Sequence, residues 1–197
     1  MLDSLITTTD TTACKVYSLK YFMERHRKQT DFFNEYAIMK LATANQLVNV
    51  IHLQRTYLSP LNVSIESKLY QMDFRVYLRN HRKPKHLNDI LLQVLNGIKE
   101  IHSIGYVHRD LKPENIVLNL KPFEVRIIDF NTSVPQEADT VDSIRGTPGY
   151  HPAAPKWYDG STQWDIYSLA TLMLEADMDK DLYYNTKDEK QIRYNAT

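Results

Sequence analysis

The run His108–Asn115 constrains this 197-residue chain more than any other feature. It places an acid (Asp110), a lysine (Lys112) and an amide (Asn115) within six positions, directly before the apolar residues 116–118. Core packing rarely requires such a polar cluster, because buried charges must be paired. A loop of this composition can orient a hydroxyl group, offset phosphate charge and bind a divalent cation. The run therefore predicts a catalytic loop suited to phosphoryl transfer.

Composition excludes several classes of protein. The chain has 24 basic and 24 acidic residues, so it lacks the positive surplus of a general nucleic-acid binder. Its single cysteine, Cys14, permits no internal disulfide and favours a reducing compartment. The N-terminus does not resemble a secretory signal, and no apolar run is long enough to span a bilayer. We expect a cytoplasmic protein with no nucleic-acid or membrane partner. The proportions of Asn, Lys, Ile and Tyr hint at a viral or parasite genome.

Apolar patterning places strands first and helices afterwards. Alternating β-branched and aromatic residues predict strands at 16–22, 48–57, 63–69 and 125–128. Apolar residues at helical spacing predict helices over 31–41, 164–176, and from Leu87 to a stop at Gly105, with Asn88 as the N-cap. This order predicts one α+β domain with two lobes and a site between them. Its parts are a reduced, strand-rich lobe with a hinge over 1–79, a mainly helical lobe over 80–176, and a polar tail over 177–197.

Further motifs accompany the polar run in a fixed order. Asp129-Phe130-Asn131 follows directly after the strand at 125–128, and Gly146–Tyr150 and Trp164–Leu169 come later. Lys20 and Glu35 precede the run. The run itself matches the catalytic-loop pattern H-R-D-L-x-x-x-N. Over about residues 15–176, this ordered set resembles the protein kinase family of the Ser/Thr type, which implies a two-lobed, kinase-like fold.

The resemblance implies roles for the residues of the two central motifs. Asp110 would orient or accept the proton of the substrate hydroxyl, and Lys112 would offset charge on the γ-phosphate. Asn115 and Asp129 would supply oxygen ligands for Mg²⁺ or Mn²⁺. Val117 would form the apolar floor under the adenine of ATP.

The resemblance also implies supporting roles. Lys20 would hold the α- and β-phosphates, and Glu35 would fix it by an ion pair. Asp165 would accept hydrogen bonds from the catalytic-loop backbone, and Thr147 would bridge Asp110 and Lys112. Residues expected to stack between the lobes are His108, Phe130, Met39 and Leu53. Arg109 is the kind of arginine that pairs with a phosphorylated segment, for which Thr140 and Ser143 are candidates.

Four departures from the family pattern predict a reduced kinase. No glycine precedes Gly97, so the Gly-rich phosphate loop is missing. Asn131 stands where the metal motif ordinarily has glycine, and asparagine tolerates a left-handed backbone. Pro152–Ala154 replaces the expected Ala-Pro-Glu. The final helices of the fold are also missing, since only 21 residues follow Ala176.

Three functions are compatible with these residues. The leading hypothesis is a minimal, truncated Ser/Thr protein kinase that transfers the γ-phosphate of ATP to protein hydroxyls with Mg²⁺ or Mn²⁺. The second is a weak or inactive pseudokinase that acts as a decoy or regulatory binding module. The third is a kinase-like small-molecule phosphotransferase, which is disfavoured by Gly146–Tyr150. Expected partners are a protein substrate with Ser or Thr and another kinase or an activating protein.

Overall fold

The computed structural model describes residues 4–20, 26–81, 85–136, 146–151 and 161–178. Its first part is a four-stranded antiparallel sheet made of β1 (Ser4–Thr8), β2 (Thr12–Ser18), β3 (Arg55–Leu58) and β4 (Asn62–Lys68). The strand order is β1-β2-β4-β3. Helix α1 (His26–Ala44) follows β2 in the chain and packs its buried residues into the same core. This upper lobe is the strand-rich half that the sequence predicts.

The lower lobe is mainly helical. Its helices are α2 (Phe74–Asn80), α3 (Leu87–Ser103) and α4 (Gln163–Met178). Two short strands, β6 (Tyr106–Val107) and β9 (Val134–Pro135), pair with each other. A three-stranded sheet contains β5 (Met72–Asp73), β7 (Ile116–Leu120) and β8 (Phe123–Ile127), in the order β5-β7-β8. The catalytic-loop run lies between β6 and β7 and ends in a 3₁₀ turn at Pro113–Asn115.

Helix α3 forms much of the lower core because its apolar residues recur on one face. Ile90, Val94, Ile98 and Ile101 are all buried, as their three- and four-residue spacing requires. Gly97 lies on the same face, and a Cβ atom there would come within 2.8 Å of Ile127 Cδ1. Glycine at this position therefore allows α3 to approach β8 closely.

The segment that follows α1 is bonded to the lower lobe. Glu100 on α3 accepts the backbone N–H groups of Val48 at 2.9 Å and Asn49 at 2.8 Å. The Asn49 side chain is buried and donates to Val125 O at 3.0 Å. The backbone of Ile127 pairs with the same segment. These bonds fasten the C-terminal end of α1 to the helical lobe.

Several predicted boundaries in the first half are wrong. The second strand runs over 12–18 instead of 16–22, because residues 13–15, ahead of the predicted start, pair with both β1 and β4. Helix α1 begins at 26 instead of 31, and the strand predicted over 48–57 is confined to 55–58. Asn88 does not cap α3, whose N-cap is His86. The sequence pattern also missed α2.

Candidate active site

The catalytic loop is fixed from below by one buried carboxylate. Asp165, near the start of α4, accepts the backbone N–H groups of His108 and Arg109, both at 2.9 Å. It also bonds His102 Nε2 at 2.8 Å. Trp164 donates its indole N–H to Arg109 O at 2.9 Å. The predicted contact between Asp165 and the loop backbone is therefore confirmed, and it sets the direction in which Asp110 points.

Asp110 lies at the centre of a bonded group. Thr147 donates its hydroxyl to Asp110 Oδ1 at 2.6 Å and accepts from Lys112 Nζ at 2.8 Å. Lys112 Nζ is also 3.0 Å from Asp110 Oδ2. Asn115 donates its amide N–H to Asp110 O at 2.8 Å and to Oδ2 at 3.2 Å. The predicted Thr147 bridge is confirmed, and the three candidate catalytic residues lie together.

Gly146 permits the close approach of this threonine to the loop. Its φ of +119° lies in a region that side chains disfavour. A Cβ atom at this position would also come within 2.7 Å of Arg109 O. The glycine thus allows the segment that carries Thr147 to lie directly against the catalytic loop.

The upper wall of the site contains Lys15, where the sequence interpretation expected Lys20. Lys15 Nζ is 2.7 Å from Glu35 Oε2 and 2.9 Å from Asp129 Oδ1. Lys20 lies beyond the end of β2 and is exposed. The assignment of Lys20 is therefore wrong, because the strand begins and ends earlier than its sequence pattern suggests. Glu35 and Asp129 are positioned as expected.

Tyr17 completes this group and was missed by the sequence interpretation. Its hydroxyl donates to Glu35 Oε2, the oxygen that also accepts from Lys15, and lies 3.3 Å from Asn131 Oδ1. Side chains two positions apart in a strand face the same side, so β2 presents Lys15 and Tyr17 together. We call Lys15, Glu35 and Tyr17 the cleft triad. The two-residue spacing of Lys15 and Tyr17 in one strand was the sequence signal that could have indicated Tyr17.

Burial and charge act against each other in the cleft triad. Burial raises the pKa of the Glu35 carboxyl above its usual range, and Lys15 only partly offsets this effect. Burial alone would lower the pKa of the Lys15 amine, but the carboxylates of Glu35 and Asp129 outweigh it and raise that pKa. Burial alone would raise the pKa of the Asp129 carboxyl, but the positive charge of Lys15 outweighs burial and holds that pKa below the usual range. Lys15 and Asp129 are therefore both charged at neutral pH.

A cleft of about 320 Å³ lies between the lobes and joins these groups. Its polar side consists of Lys15, Glu35, Ser67, Glu114, Asn115, Asp129 and Asn131. Its apolar side consists of Ile6, Ala13, Met39, Ile51, Ile65 and Ile128. An apolar wall facing a cluster of charged groups is the expected arrangement for a ligand with an aromatic and an anionic end.

Val117 lies next to this region without being among the residues that line the cleft. It is half-buried in β7, between the fully buried Ile116 and Leu118, so its side chain faces the opposite side of the strand. Its role as the floor under adenine remains a prediction.

Asn115 and Asp129 fit the donor set that Mg²⁺ requires. The amide nitrogen of Asn115 is engaged by Asp110, which leaves its carbonyl oxygen as the group for a cation. One oxygen of Asp129 accepts from Lys15, and the Asp129 side chain remains 36% exposed. Both residues line the same cleft. Two hard oxygen ligands supplemented by phosphate and water form a common magnesium site in proteins.

His108 and Phe130 connect the catalytic loop with the metal motif. Their rings are 5.3 Å apart in an edge-to-face arrangement, and both residues are fully buried. His108 Nε2 lies 3.0 Å from Ile128 O, and His108 Nδ1 accepts the Asp110 N–H at 3.2 Å. Met39 is buried in the same core and Leu53 packs against it. The contact between His108 and Phe130 agrees with the prediction, whereas the stacking of Met39 and Leu53 on this pair stays a prediction.

A second charged cluster lies below the catalytic loop and was also missed. Arg75 on α2 is buried and bonds Glu175 on α4, Tyr150 Oη at 2.8 Å and Glu114 Oε1 at 3.0 Å. Tyr150 in turn donates to Glu175. We call Arg75, Glu175 and Tyr150 the closed triad. Its members are separated by 25 to 100 residues, so no local pattern could have indicated it.

The remaining predictions fall partly outside the described residues. Thr140, Ser143 and Pro152–Ala154 lie there, as does most of the polar tail. Arg109 is buried, with its guanidinium carbon 4.9 Å from the Trp164 ring centroid. In the part of the chain that the structure describes, no helix is long and apolar enough to cross a membrane.

Comparison with known families agrees with this geometry. The family model of the protein kinase domain matches residues 4–197. The chain belongs to the protein kinase family. The match covers both lobes and therefore includes the first half of the chain, in which the sequence motifs were weakest.

Individual relatives lead to the same family. The chain is 28% identical to mitogen-activated protein kinase p38a of Drosophila melanogaster, and the match covers 85% of this chain and 47% of the relative. It is 31% identical to serine/threonine-protein kinase WNK8 of Arabidopsis thaliana, and the match covers 82% of this chain and 30% of the relative. It is 29% identical to mitogen-activated protein kinase HOG1 of Torulaspora delbrueckii, and the match covers 89% of this chain and 42% of the relative. The chain spans about half, or less, of the length of these curated relatives. A viral origin stays a prediction.

Proposed function

We propose that this chain is a serine/threonine protein kinase that transfers the γ-phosphate of ATP to a hydroxyl group of a protein substrate. The observation that carries the proposal is the cleft that Asn115 and Asp129 share with the Lys15–Glu35 ion pair, with Asp110 bonded to Asn115 and Lys112 beside it. The serine/threonine kinases among its relatives support the substrate class. We further propose one cytoplasmic domain over 1–197, with lobes over 1–79 and 80–176 and a tail over 177–197.

The contacts of Asp110 suit it to handle the substrate hydroxyl. Thr147, Lys112 and Asn115 all donate to its carboxylate, which fixes the orientation of both oxygens. A carboxylate held in this way can accept the hydroxyl proton as the hydroxyl oxygen attacks the γ-phosphorus. Lys112 lies beside it, so its ammonium group can offset the charge that develops on the transferred phosphoryl group.

The upper wall binds the remainder of the nucleotide. Lys15 is held at the cleft by two carboxylates and takes the role expected of Lys20, binding the α- and β-phosphates. Asn115 and Asp129 would hold Mg²⁺ or Mn²⁺, which offsets charge on the β- and γ-phosphates when bound. Ile6, Ile51 and Ile65 provide the apolar surface for adenine, with Val117 proposed as its floor.

A transfer assay tests this function. Wild type and Asp110→Asn are incubated with γ-labelled ATP, Mg²⁺ or Mn²⁺, and generic protein substrates. We expect the asparagine variant to lose at least about a hundredfold in rate, because it cannot accept the hydroxyl proton. Binding of a fluorescent ATP analogue, measured in parallel, should change little.

Equal transfer by wild type and Asp110→Asn would contradict the kinase proposal. The pseudokinase alternative, in which this family member acts as a decoy or regulatory module for another kinase or an activating protein, would then be favoured. Transfer to a small alcohol but to no protein would favour a small-molecule phosphotransferase instead.

A further inference from the structure

Tyr17 links three separate parts of the chain. Its hydroxyl contacts Glu35 on α1 and Asn131 in the metal motif, while its backbone belongs to β2. The ring is 96% buried and packs edge-to-face on Phe32 with centroids 5.3 Å apart. Packing therefore fixes the ring, and the hydroxyl makes the polar links.

Asn131 stands where the family pattern has glycine, but it does not use the backbone freedom of glycine. Among the described residues other than glycine, only Gln46, Arg109 and Asp129 have a positive φ. What the residue adds to glycine is a side-chain amide, and that amide reaches the Tyr17 hydroxyl at 3.3 Å.

The hydroxyl oxygen of Tyr17 can donate a hydrogen bond to one neighbour and accept a hydrogen bond from the other. A phenol has one proton, and the Glu35 carboxylate is the stronger acceptor for it. The oxygen and nitrogen of an asparagine amide exchange places by a half-turn that leaves the overall shape unchanged. After that turn, the Asn131 NH₂ group donates to the phenol oxygen. All three side chains then share one continuous chain of hydrogen bonds.

We propose that Tyr17 and Asn131 form a clamp that holds Lys15, Glu35 and Asp129 in position for nucleotide binding, which makes Tyr17 a positioning residue of the site. The inference rests on the proposed function, because it assumes that the cleft binds ATP. Tyr17 donates a hydrogen bond to the buried Glu35 carboxylate, which therefore depends less on Lys15. The Lys15 amine can then bond Asp129 as well as Glu35. By holding Asn131, Tyr17 also fixes the segment two residues after Asp129.

A double-mutant cycle tests the clamp. Tyr17→Phe removes only the hydroxyl and keeps the ring against Phe32, whereas Asn131→Gly restores the residue of the family pattern. We measure the Kd of a fluorescent ATP analogue with Mg²⁺, together with KM for ATP and kcat in the transfer assay. Tyr17→Phe should raise Kd and KM about tenfold, and Asn131→Gly about threefold, the range expected for hydrogen bonds to charged or bridging groups.

The decisive result is the double variant. If the two residues act as one unit, Tyr17→Phe/Asn131→Gly should bind the analogue about as weakly as Tyr17→Phe alone. A Kd equal to the product of the two single effects would overturn the clamp. So would an unchanged Kd and KM with only a lower kcat, since loss of correctly folded enzyme reduces kcat alone.

A matched control comes from the same sheet. Tyr57 donates its hydroxyl to the Glu66 carboxylate at 3.0 Å, but it lies on the exposed edge strand β3. Tyr57→Phe should leave Kd and KM within about twofold of wild type, because exposed bonds contribute little. A Tyr57→Phe effect as large as that of Tyr17→Phe would overturn the proposal.

A third measurement separates this inference from the proposed function. If wild type binds no nucleotide, the function fails, yet the clamp still predicts that Lys15 is held in the free protein. Trace acetylation with acetic anhydride, followed by mass spectrometry, gives the relative reaction rate of each lysine. Lys15 should react at least about threefold faster in Tyr17→Phe, because a loosened amine spends more time unpaired. An unchanged Lys15 rate would overturn the clamp independently of nucleotide.

Discussion

The cleft triad and the closed triad are built from the same three groups: a cation, a carboxylate and a phenol. In both, the phenol and the cation donate to one buried carboxylate. They differ in where the cation lies. Lys15 lines the cleft beside Asp129, whose side chain is 36% exposed, whereas Arg75, Glu175 and Tyr150 are not among the residues that line it. Glu114, a further partner of Arg75, does reach the cleft.

This difference separates a site that can accept a ligand from one that can only hold the fold together. The members of the closed triad bond one another inside the protein and join α2, α4 and the segment around Tyr150. The cleft triad leaves Asp129 and one face of Lys15 available to a nucleotide. Substitutions in the closed triad should therefore affect stability, and those in the cleft triad should affect ligand binding.

The largest expected effect comes from breaking the closed triad. Arg75→Met removes the ion pair to the Glu175 carboxylate, which is only 2% exposed, and should lower the free energy of unfolding by about 4 kcal/mol. Urea denaturation followed by circular dichroism measures this loss. As the control, Arg55→Met removes an exposed arginine 3.9 Å from Glu66 and should leave the midpoint unchanged. Coinciding midpoints for Arg75→Met and wild type would contradict a structural role.

An intermediate effect on stability is expected at the cleft triad. Lys15→Met should cost only about 1–2 kcal/mol, because Glu35, whose pKa burial already raises, can take up a proton and keep its bond to Tyr17. The Kd for the Mg²⁺–ATP analogue should rise at least about tenfold. Lys20→Met is the control and should leave Kd unchanged. If Lys20→Met weakens binding and Lys15→Met does not, the lysine has been assigned wrongly.

The smallest effect concerns alkaline pH. Burial raises the pKa of Tyr150 above its ordinary value of 10.0, with the neighbouring Glu175 adding to the shift. Above pH 10 the folded chain therefore keeps a proton that the unfolded chain loses. The contribution of Tyr150 to the free energy of unfolding is full below pH 10 and is lost as the pH rises further. Tyr150 should account for about 1 kcal/mol of lost stability between pH 10 and 11.

Denaturant midpoints at pH 8, 10 and 11 measure this dependence. Tyr150→Phe lowers stability at pH 8 but should reduce the further loss above pH 10, whereas Tyr57→Phe should follow wild type. A Tyr150→Phe variant with the wild-type slope would show that this phenol does not couple folding to pH.

The lower half of the site could be predicted from sequence because its residues are close together in the chain. Asp110, Lys112 and Asn115 lie within six positions, and Asp129 follows directly after a short strand. Short spacing along the chain largely determines which of these side chains can lie close together. The contacts of Thr147 and Asp165, by contrast, were predicted only through the family resemblance, and the structure places both as expected.

The upper half could not be predicted as well, because strand register depends on partners far away in the sequence. Lys15 and Lys20 lie in one segment and five positions apart, so a strand presents them on opposite faces. Pairing with β1 and β4, rather than local propensity, determines which of them faces the cleft. Tyr17, Arg75 and Glu175 were missed for the same reason, since each acts through a contact that crosses the fold.

The attachment of the segment after α1 has a consequence for how this helix can move. Glu100 holds Val48 and Asn49, so a tilt of α1 that keeps these bonds would pivot at its C-terminal end. Glu35 precedes the end of α1 by nine residues, which gives a lever arm of about 14 Å. A tilt of about 10° would displace its carboxylate by about 2 Å, enough to pull it out of reach of Lys15. A small angular change of α1 would thus be enough to separate Glu35 from Lys15, provided that the bond from Asn34 to Ser133 O at 2.7 Å also yields.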